Sequence, residues 1–404
     1  MTASFHIGQT DPRHRIAWLC GPLHFGIGGT WKHLTNWARI IDPERFDTTL
    51  IFAPGNPAEA DAIRCHFESF GRIRAIPAEG LYPVRHWMSA GLRSLARLLA
   101  QVQPTLLHTL FLPCDAAGVL MRRLFGIPVH ISSWESDPRY WLDASWKAPL
   151  NRLVFRLCRR RIDHFIVLTE RMRRQAVDEF DIAASAVSLI PSGIYINTNI
   201  SLCGGGGRET VIGTLGRLSP EKKPEVVIQA FRELAAGYPR LRLVVAGDGP
   251  ERDRLVALAH SLGIADRVEF PGWCHDVPAL LARLDLFVFT SEAEGLPHAV
   301  LEALAGGIPT IASAVGGVPD VIADGENGLL LRSNTPGELA THLRTLLGHP
   351  NRARAMATAG KRTVETRFRI EDERIRLQSL YLRLLARSGA DYPPSGLAAR
   401  RGTG

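Results

Sequence analysis

The stretch "LDLFVFTSEAEGLPHAVLEALAGGIPTIAS" (Leu284–Ser313) reads as strand, loop, helix and strand. "LDLFVFT" and "IPTIAS" are short apolar runs of strand length. Between them Pro297–Ala305 has helical length, and a proline suits a first helical turn, where its missing N–H would lack a partner anyway. A strand, a crossover helix and a second strand form a right-handed βαβ unit in a parallel sheet. The same alternation runs outward in both directions. Downstream of residue 208, "ETVIGTL", "LRLVVAG", "RVEF" and "GLLL" predict further strands, with helices over Pro224–Tyr238 and Pro250–Leu262. Upstream, "RIAWLC", "DTTLIF", "PTLLHTL", "VHISS", "HFIVLT" and "VSLIP" predict another set, with a helix over Thr30–Ile41.

A chain of 404 residues is too long for one ordinary core. The four glycines Gly204–Gly207 mark a connector. The expected fold is α/β, with two Rossmann-like doubly wound parallel-sheet domains facing across a cleft. The first domain covers residues 1–203, the linker 204–208 and the second domain 209–368. A C-terminal helix over 369–388 has leucines at helical spacing and should pack on another element; 389–404 reads as a flexible tail.

In such sheets ligands bind beyond the carboxyl ends of the strands, so the loops leaving strands carry the chemistry. Three in the second half share a theme. "GRLSPEKKP" brings Arg217, Lys222 and Lys223, "GDGPER" is a tight turn, and "SEAEGLP" brings Glu294 just ahead of a helix that carries Glu302. A helix N-terminus attracts phosphate. Side chains lean back toward it, so Glu302 can accept from a ribose diol while Glu294 meets a sugar on the far side of the phosphates. Arg217 and Lys222 can neutralise a departing diphosphate where the sequence has no DxD motif to bring a metal. No metal site and no cofactor are expected; a nucleotide-sugar would be a substrate.

The ordered set "GRLSPEKKP", "VVAGDGPERDRL", "RVEFPG", "SEAEGLPHAVLEALAGGIPTIAS" and "GGVPDVIADGENGLL", over about residues 210–335, resembles the retaining glycosyltransferases of family 4, which have the GT-B fold. The resemblance implies transfer of a hexose or N-acetylhexosamine from a nucleotide-sugar, UDP-linked by expectation, to a saccharide, lipid-linked or small-molecule acceptor without a metal. It implies that Arg217 and Lys222 bind the diphosphate, Glu302 the ribose and Glu294 the donor sugar. It also implies that the last helix crosses back onto the first domain. His108, at the end of "PTLLHTL", stands at the position of a frequent active-site histidine and completes the catalytic set Glu294, Arg217, Lys222 and His108. The donor-contacting set adds Gly295, Leu296, Pro297, Gly28, Gly29 and Gly216 to Glu302. Lys223 replaces a usual glycine, which leaves open which lysine faces the phosphate. "IPSGIYI" departs from the usual Pro-Asn-Gly-Ile-Asp at Ser192 and Tyr195. Glu135 and Trp134, after the strand "VHISS", are not assigned to the site.

The alternatives are a GT-B enzyme of different reaction, such as a nucleotide-sugar epimerase or a phosphorylase-like enzyme, and a non-catalytic nucleotide- or carbohydrate-binding protein. A dinucleotide oxidoreductase fails because no GxGxxG follows a strand with an acid about 20 residues on.

The net charge is +8, with 23 Lys and Arg against 17 Asp and Glu in residues 1–200, and 25 against 23 in the remainder. Between Arg152 and Arg174 eight arginines meet only Asp163 and Glu170. A solvated helix face is one reading; peripheral contact with an anionic membrane is the other. Six cysteines without metal-ligand spacing, a first segment without the apolar core of a signal peptide, and no apolar run of ~20 residues predict a cytoplasmic protein, with attachment to the inner membrane face left open. Nucleic acid is not an expected partner.

Overall fold

The computed structural model describes residues 13–23, 28–78, 91–143, 148–195, 209–274 and 276–389. The linker 204–208 and the tail from 390 onward lie outside them.

The first sheet has seven strands: β1 (His14–Leu23), β2 (Phe46–Pro54), β3 (Ile73–Pro77), β4 (Leu106–Leu110), β5 (Val129–Trp134), β6 (His164–Val167) and β7 (Val187–Leu189). Their order is 3-2-1-4-5-6-7. The second has six: β8 (Thr210–Leu215), β9 (Leu241–Ala246), β10 (Val268–Gly272), β11 (Leu286–Phe289), β12 (Thr310–Ser313) and β13 (Leu329–Leu331), in the order 10-9-8-11-12-13. Every pairing is parallel. Two parallel α/β domains with this topology are what the alternating apolar runs predict. One strand escaped that reading. β3, "IRAIP", is five residues long, carries exposed Arg74 and ends in Pro77. It sits at the sheet edge, where proline is tolerated because one side of the strand needs no partner.

In each sheet the strand order reverses once, between β1 and β4 and between β8 and β11. At such a switch point neighbouring loops diverge to opposite faces and leave a crevice. The loops carrying Gly28, Arg217 and Glu294, after β1, β8 and β11, leave strands at these two points; "GDGPER" follows β9, one strand away from the second.

Separate apolar cores sit behind each sheet, around Trp18, Trp37 and Phe52 in the first and Phe231, Val288 and Leu343 in the second. A further cluster joins the domains, with Leu112, Trp134, Phe165 and Met172 meeting Leu296, Val300 and Val318. The Ile370–Arg387 helix returns to the first domain. Its Leu377, Leu380, Tyr381 and Leu384 enter the first core, and the Tyr381 hydroxyl accepts from Trp18 Nε1 at 3.0 Å. Where the chain enters this helix it presses on the "IPSGIYI" segment. A Cβ built on Gly193 would lie 2.6 Å from the Arg369 carbonyl, so only glycine fits there.

Candidate active site

The second-domain loops are tied together at the β8/β11 switch point. Glu292 N–H donates to the Glu221 carbonyl at 2.8 Å, and the Thr290 hydroxyl donates to the carbonyls of Lys222 and Lys223 at 3.1 and 3.0 Å. This lacing puts the Lys222 ammonium on Glu294 Oε1 and above the Phe289 ring, 5.7 Å from its centroid. Lys223 turns the other way and pairs with Glu292 at 3.1 Å. Its φ of 48° is left-handed, which explains why glycine suits this position. Lys222, not Lys223, is therefore the lysine beside Glu294. Arg217 is exposed and forms no side-chain hydrogen bond or ion pair with the described residues. It follows Gly216, which has open space where a Cβ would project.

Glu302 lies in the helix His298–Ala305, ahead of which Pro297 is an extended cap residue rather than the first helical one. The first N–H groups of this helix have no intrahelical partner. Glu302 Oε1 is bonded to the ammonium of Lys32, which comes from the helix Gly29–Ile40 of the other domain. Gly28 caps that helix with a φ of 93°, and no atom lies within 4 Å of a Cβ built on Gly28 or Gly29. That conformation favours glycine, and the space in front of it is open.

Three expectations need correction. Gly295 does not leave room for a ligand: a Cβ there would meet the Glu135 carbonyl at 2.3 Å, so the glycine is needed for domain contact. The Leu296 side chain is 5% exposed and buried in the cluster joining the domains, leaving only its backbone for a donor. His108 does not reach the cleft. It is fully buried, with Nδ1 2.6 Å from the Tyr381 hydroxyl and Nε2 2.7 Å from Ser133 Oγ. Burial, reinforced by His33 and His130, drives its pKa down to about 3, so it stays neutral and structural.

The first domain contributes groups that motif reading missed. His33, one residue beyond Lys32, is buried between Glu135 at 2.8 Å and Glu373 at 2.6 Å. Burial opposes its charge, but the two carboxylates outweigh it and hold the pKa up at about 10. Glu373 also accepts from Trp37 Nε1 at 2.5 Å and Gly193 N–H at 2.6 Å. The His298 ring lies 6.0 Å from that of His33. Burial, then the charges of His33 and Lys32, push its pKa well down. His298 Nε2 and Glu135 Oε1 are both buried without a hydrogen-bond partner. Buried polar atoms of that kind are costly unless a ligand or water completes them. His33 and Glu135 stand 102 residues apart, and no local pattern signals such a pairing.

Residues 28–193 match the family described as glycosyl transferase 4-like domain, and 205–363 match glycosyl transferases group 1. The chain belongs to the group 1 glycosyl transferases. Among sequence relatives, the D-inositol 3-phosphate glycosyltransferase of Rhodococcus opacus is 37% identical over 207 residues, covering 49% of this chain and 46% of the relative. The GDP-mannose-dependent alpha-(1-6)-phosphatidylinositol monomannoside mannosyltransferase of Mycolicibacterium smegmatis is 33% identical over 164 residues, 38% of this chain and 43% of the relative. These matches span less than half the length of those curated proteins. Among solved structures, Anabaena HepE in complex with UDP-glucose superposes with a TM-score of 0.74 at 19% identity, over 91% of this group 1 chain and 99% of that one. Sucrose-phosphate synthase from Thermosynechococcus elongatus gives 0.78 at 20% identity, over 93% and 100%. At such identities the likeness establishes the shared GT-B fold.

Proposed function

We propose that this group 1 chain is a retaining glycosyltransferase that moves a hexose or N-acetylhexosamine from a nucleotide-sugar to an acceptor hydroxyl without a metal. The observation that carries the reading is the lacing at the β8/β11 switch point, which holds Lys222 against Glu294 just ahead of the His298–Ala305 helix. Arg217 and Lys222 would neutralise the departing diphosphate, as fixed charges do best where no reorganisation is needed. Glu302 would accept from the ribose diol, displacing Lys32, and Glu294 from donor sugar hydroxyls. The acceptor would enter from the first-domain side and attack on the face the diphosphate leaves, its proton passing to a departing phosphate oxygen. Domain closure would keep water from the donor.

A UDP-linked donor is our first expectation. Relatives named for inositol phosphate and phosphatidylinositol mannoside support a phosphorylated or lipid-linked acceptor. The deciding experiment is a thermal-shift screen with UDP, GDP and ADP, followed by a nucleotide-sugar panel with NMR of the product anomer, with and without chelator. Stabilisation by one nucleotide and a product of retained configuration in chelator are expected. No shift with any nucleotide, or an inverted product, would overturn the reading.

A further inference from the structure

Eight large hydrophobic side chains are exposed among the described residues, and six belong to one surface. Leu120, Leu124 and Phe125 stand on the helix Leu112–Phe125; Leu150, Leu153 and Leu157 stand on the neighbouring helix Ala148–Cys158. Each is between 40% and 63% exposed. Leu150, Leu153 and Leu157 follow helical spacing on the outer face, while Phe155 and Cys158 pack inward. Exposed Arg123, Arg152, Arg156, Arg160 and Arg161 border these apolar groups. The Ala148–Cys158 helix has no carboxylate, and the only one on its neighbour, Asp115, is buried. Beside the leucines, Arg139, Arg152, Arg156 and Arg159 surround an open hollow of about 470 Å³ whose walls also include Phe155, Phe180 and Glu179, the last paired with Arg139.

We propose that this surface seats the protein on an anionic lipid bilayer, the apolar side chains entering the acyl boundary and the arginines meeting lipid phosphates. An apolar row bordered by cations, with no exposed acid on either helix and with Glu179 and Asp181 beside them paired to Arg139 and Arg159, is the pattern of an interfacial helix. A second copy of the chain is disfavoured, because a two-fold contact would set one arginine-lined face against its twin. No helix among the described residues is long and apolar enough to cross a membrane, so this contact would be peripheral. The chain direction adds a consequence. The Leu112–Phe125 helix starts from the carboxyl end of β4, and the Ala148–Cys158 helix runs back toward the start of β6. Both therefore lead from the cleft side of the sheet outward, and Leu124, Phe125 and Leu157 lie at their far ends, so seating on this flank would leave the cleft itself unobstructed.

The proposal stands independently of the transferase reading and is tested without substrate. Full-length protein is co-sedimented with vesicles of phosphatidylcholine alone and of phosphatidylcholine with phosphatidylglycerol, at low and high salt. Binding is expected to the anionic vesicles only and to weaken with salt. Leu153→Ser/Leu157→Ser should lower the partition coefficient at least about tenfold through lost apolar burial. Arg156→Glu/Arg160→Glu should lower it by about 25-fold or more, at about fivefold for each lost cation before repulsion is added. All four side chains are exposed, so an unchanged melting temperature would confirm that the variants fold. A wild-type protein that stays in the supernatant with both vesicles, or variants that bind like wild type, would overturn the proposal. So would light scattering that shows a dimer dissociated by the leucine changes, with no vesicle binding to lose.

Discussion

The two domains build their sides of the cleft in opposite ways. In the second, two neighbouring loops hold one another: Lys222 pairs with Glu294 and Lys223 with Glu292, the Glu292 N–H donates to the Glu221 carbonyl, and the Thr290 hydroxyl donates to the carbonyls of both lysines. In the first, the groups nearest the cleft are held from far away. His33 is clamped by Glu135 and by Glu373, the latter 340 residues distant on the helix that crosses back. Lacing between neighbouring loops leaves a motif in the sequence and keeps its paired charges partly exposed at the cleft, where a ligand can exchange with them. Long-range clamping leaves none, and spends its charges on one another. The second domain should therefore fail chemically when altered, and the first structurally.

The largest effect is expected at the clamp. Glu373 holds His33, Trp37 Nε1 and Gly193 N–H at once while 2% exposed. Glu373→Gln keeps the shape and removes the charge, and should cost about 3 kcal/mol in chemical denaturation, as breaking a buried pair typically does. The pH profile gives a second handle. His33 titrates near 6.5 unfolded and about 10 folded, so its contribution is complete below 6.5 and lost as pH rises toward 10. His108 and His130 are depressed by burial to about 3, so their contribution is present above 6.5 and lost as pH falls. Stability should decline on both sides, and His33→Gln should flatten the alkaline limb alone. An alkaline limb unchanged in that variant would show that His33 does not carry a proton in the folded protein.

Next comes Arg217→Ala. Removal of one preorganised charge stabiliser should lower kcat by about 10²–10³, with an unchanged melting temperature because the side chain is exposed and makes no side-chain bond with the described residues. Near wild-type turnover would take Arg217 out of the site and leave the second domain's charges as mere surface.

These contrasts explain what the sequence made readable. Strand and helix alternation gave both sheets, since a parallel strand buried on both faces must be an apolar run; β3 was missed because an edge strand need not be one. The loops of Lys222 and Glu294 and the helix of Glu302 were readable because strand alternation leads them to one switch point, though only the left-handed backbone at Lys223 and its pairing with Glu292 choose between the two lysines. His108 was misread for the same reason that it is conspicuous: a histidine at a strand end looks ligand-directed until Tyr381, 273 residues on, covers its Nδ1. Gly295 was misread because nothing nearby in the chain shows that the Glu135 carbonyl fills the space beside it.

Glu302→Ala should weaken nucleotide binding by about 10-fold or more in calorimetry, because a ribose diol would lose its acceptor in a site only 16% exposed. Unchanged affinity would remove the carboxylate from the nucleotide site and leave it solely as a partner for Lys32.

The smallest effect is the one that tests the comparison itself. Lys32 is the first-domain cation that reaches across the cleft, and it occupies the carboxylate that the ribose needs. The pair is partly exposed, with side chains 36% and 16% accessible, so it is worth at most about 1 kcal/mol. If Lys32 is only a competitor, Lys32→Met should tighten UDP and uridine alike, by about threefold. If instead the ammonium swings onto the diphosphate when the nucleotide arrives, UDP should bind more weakly in the variant while uridine does not. Calorimetry with both ligands separates the cases: a loss confined to UDP would make the first domain a chemical participant and break the division drawn between the two halves.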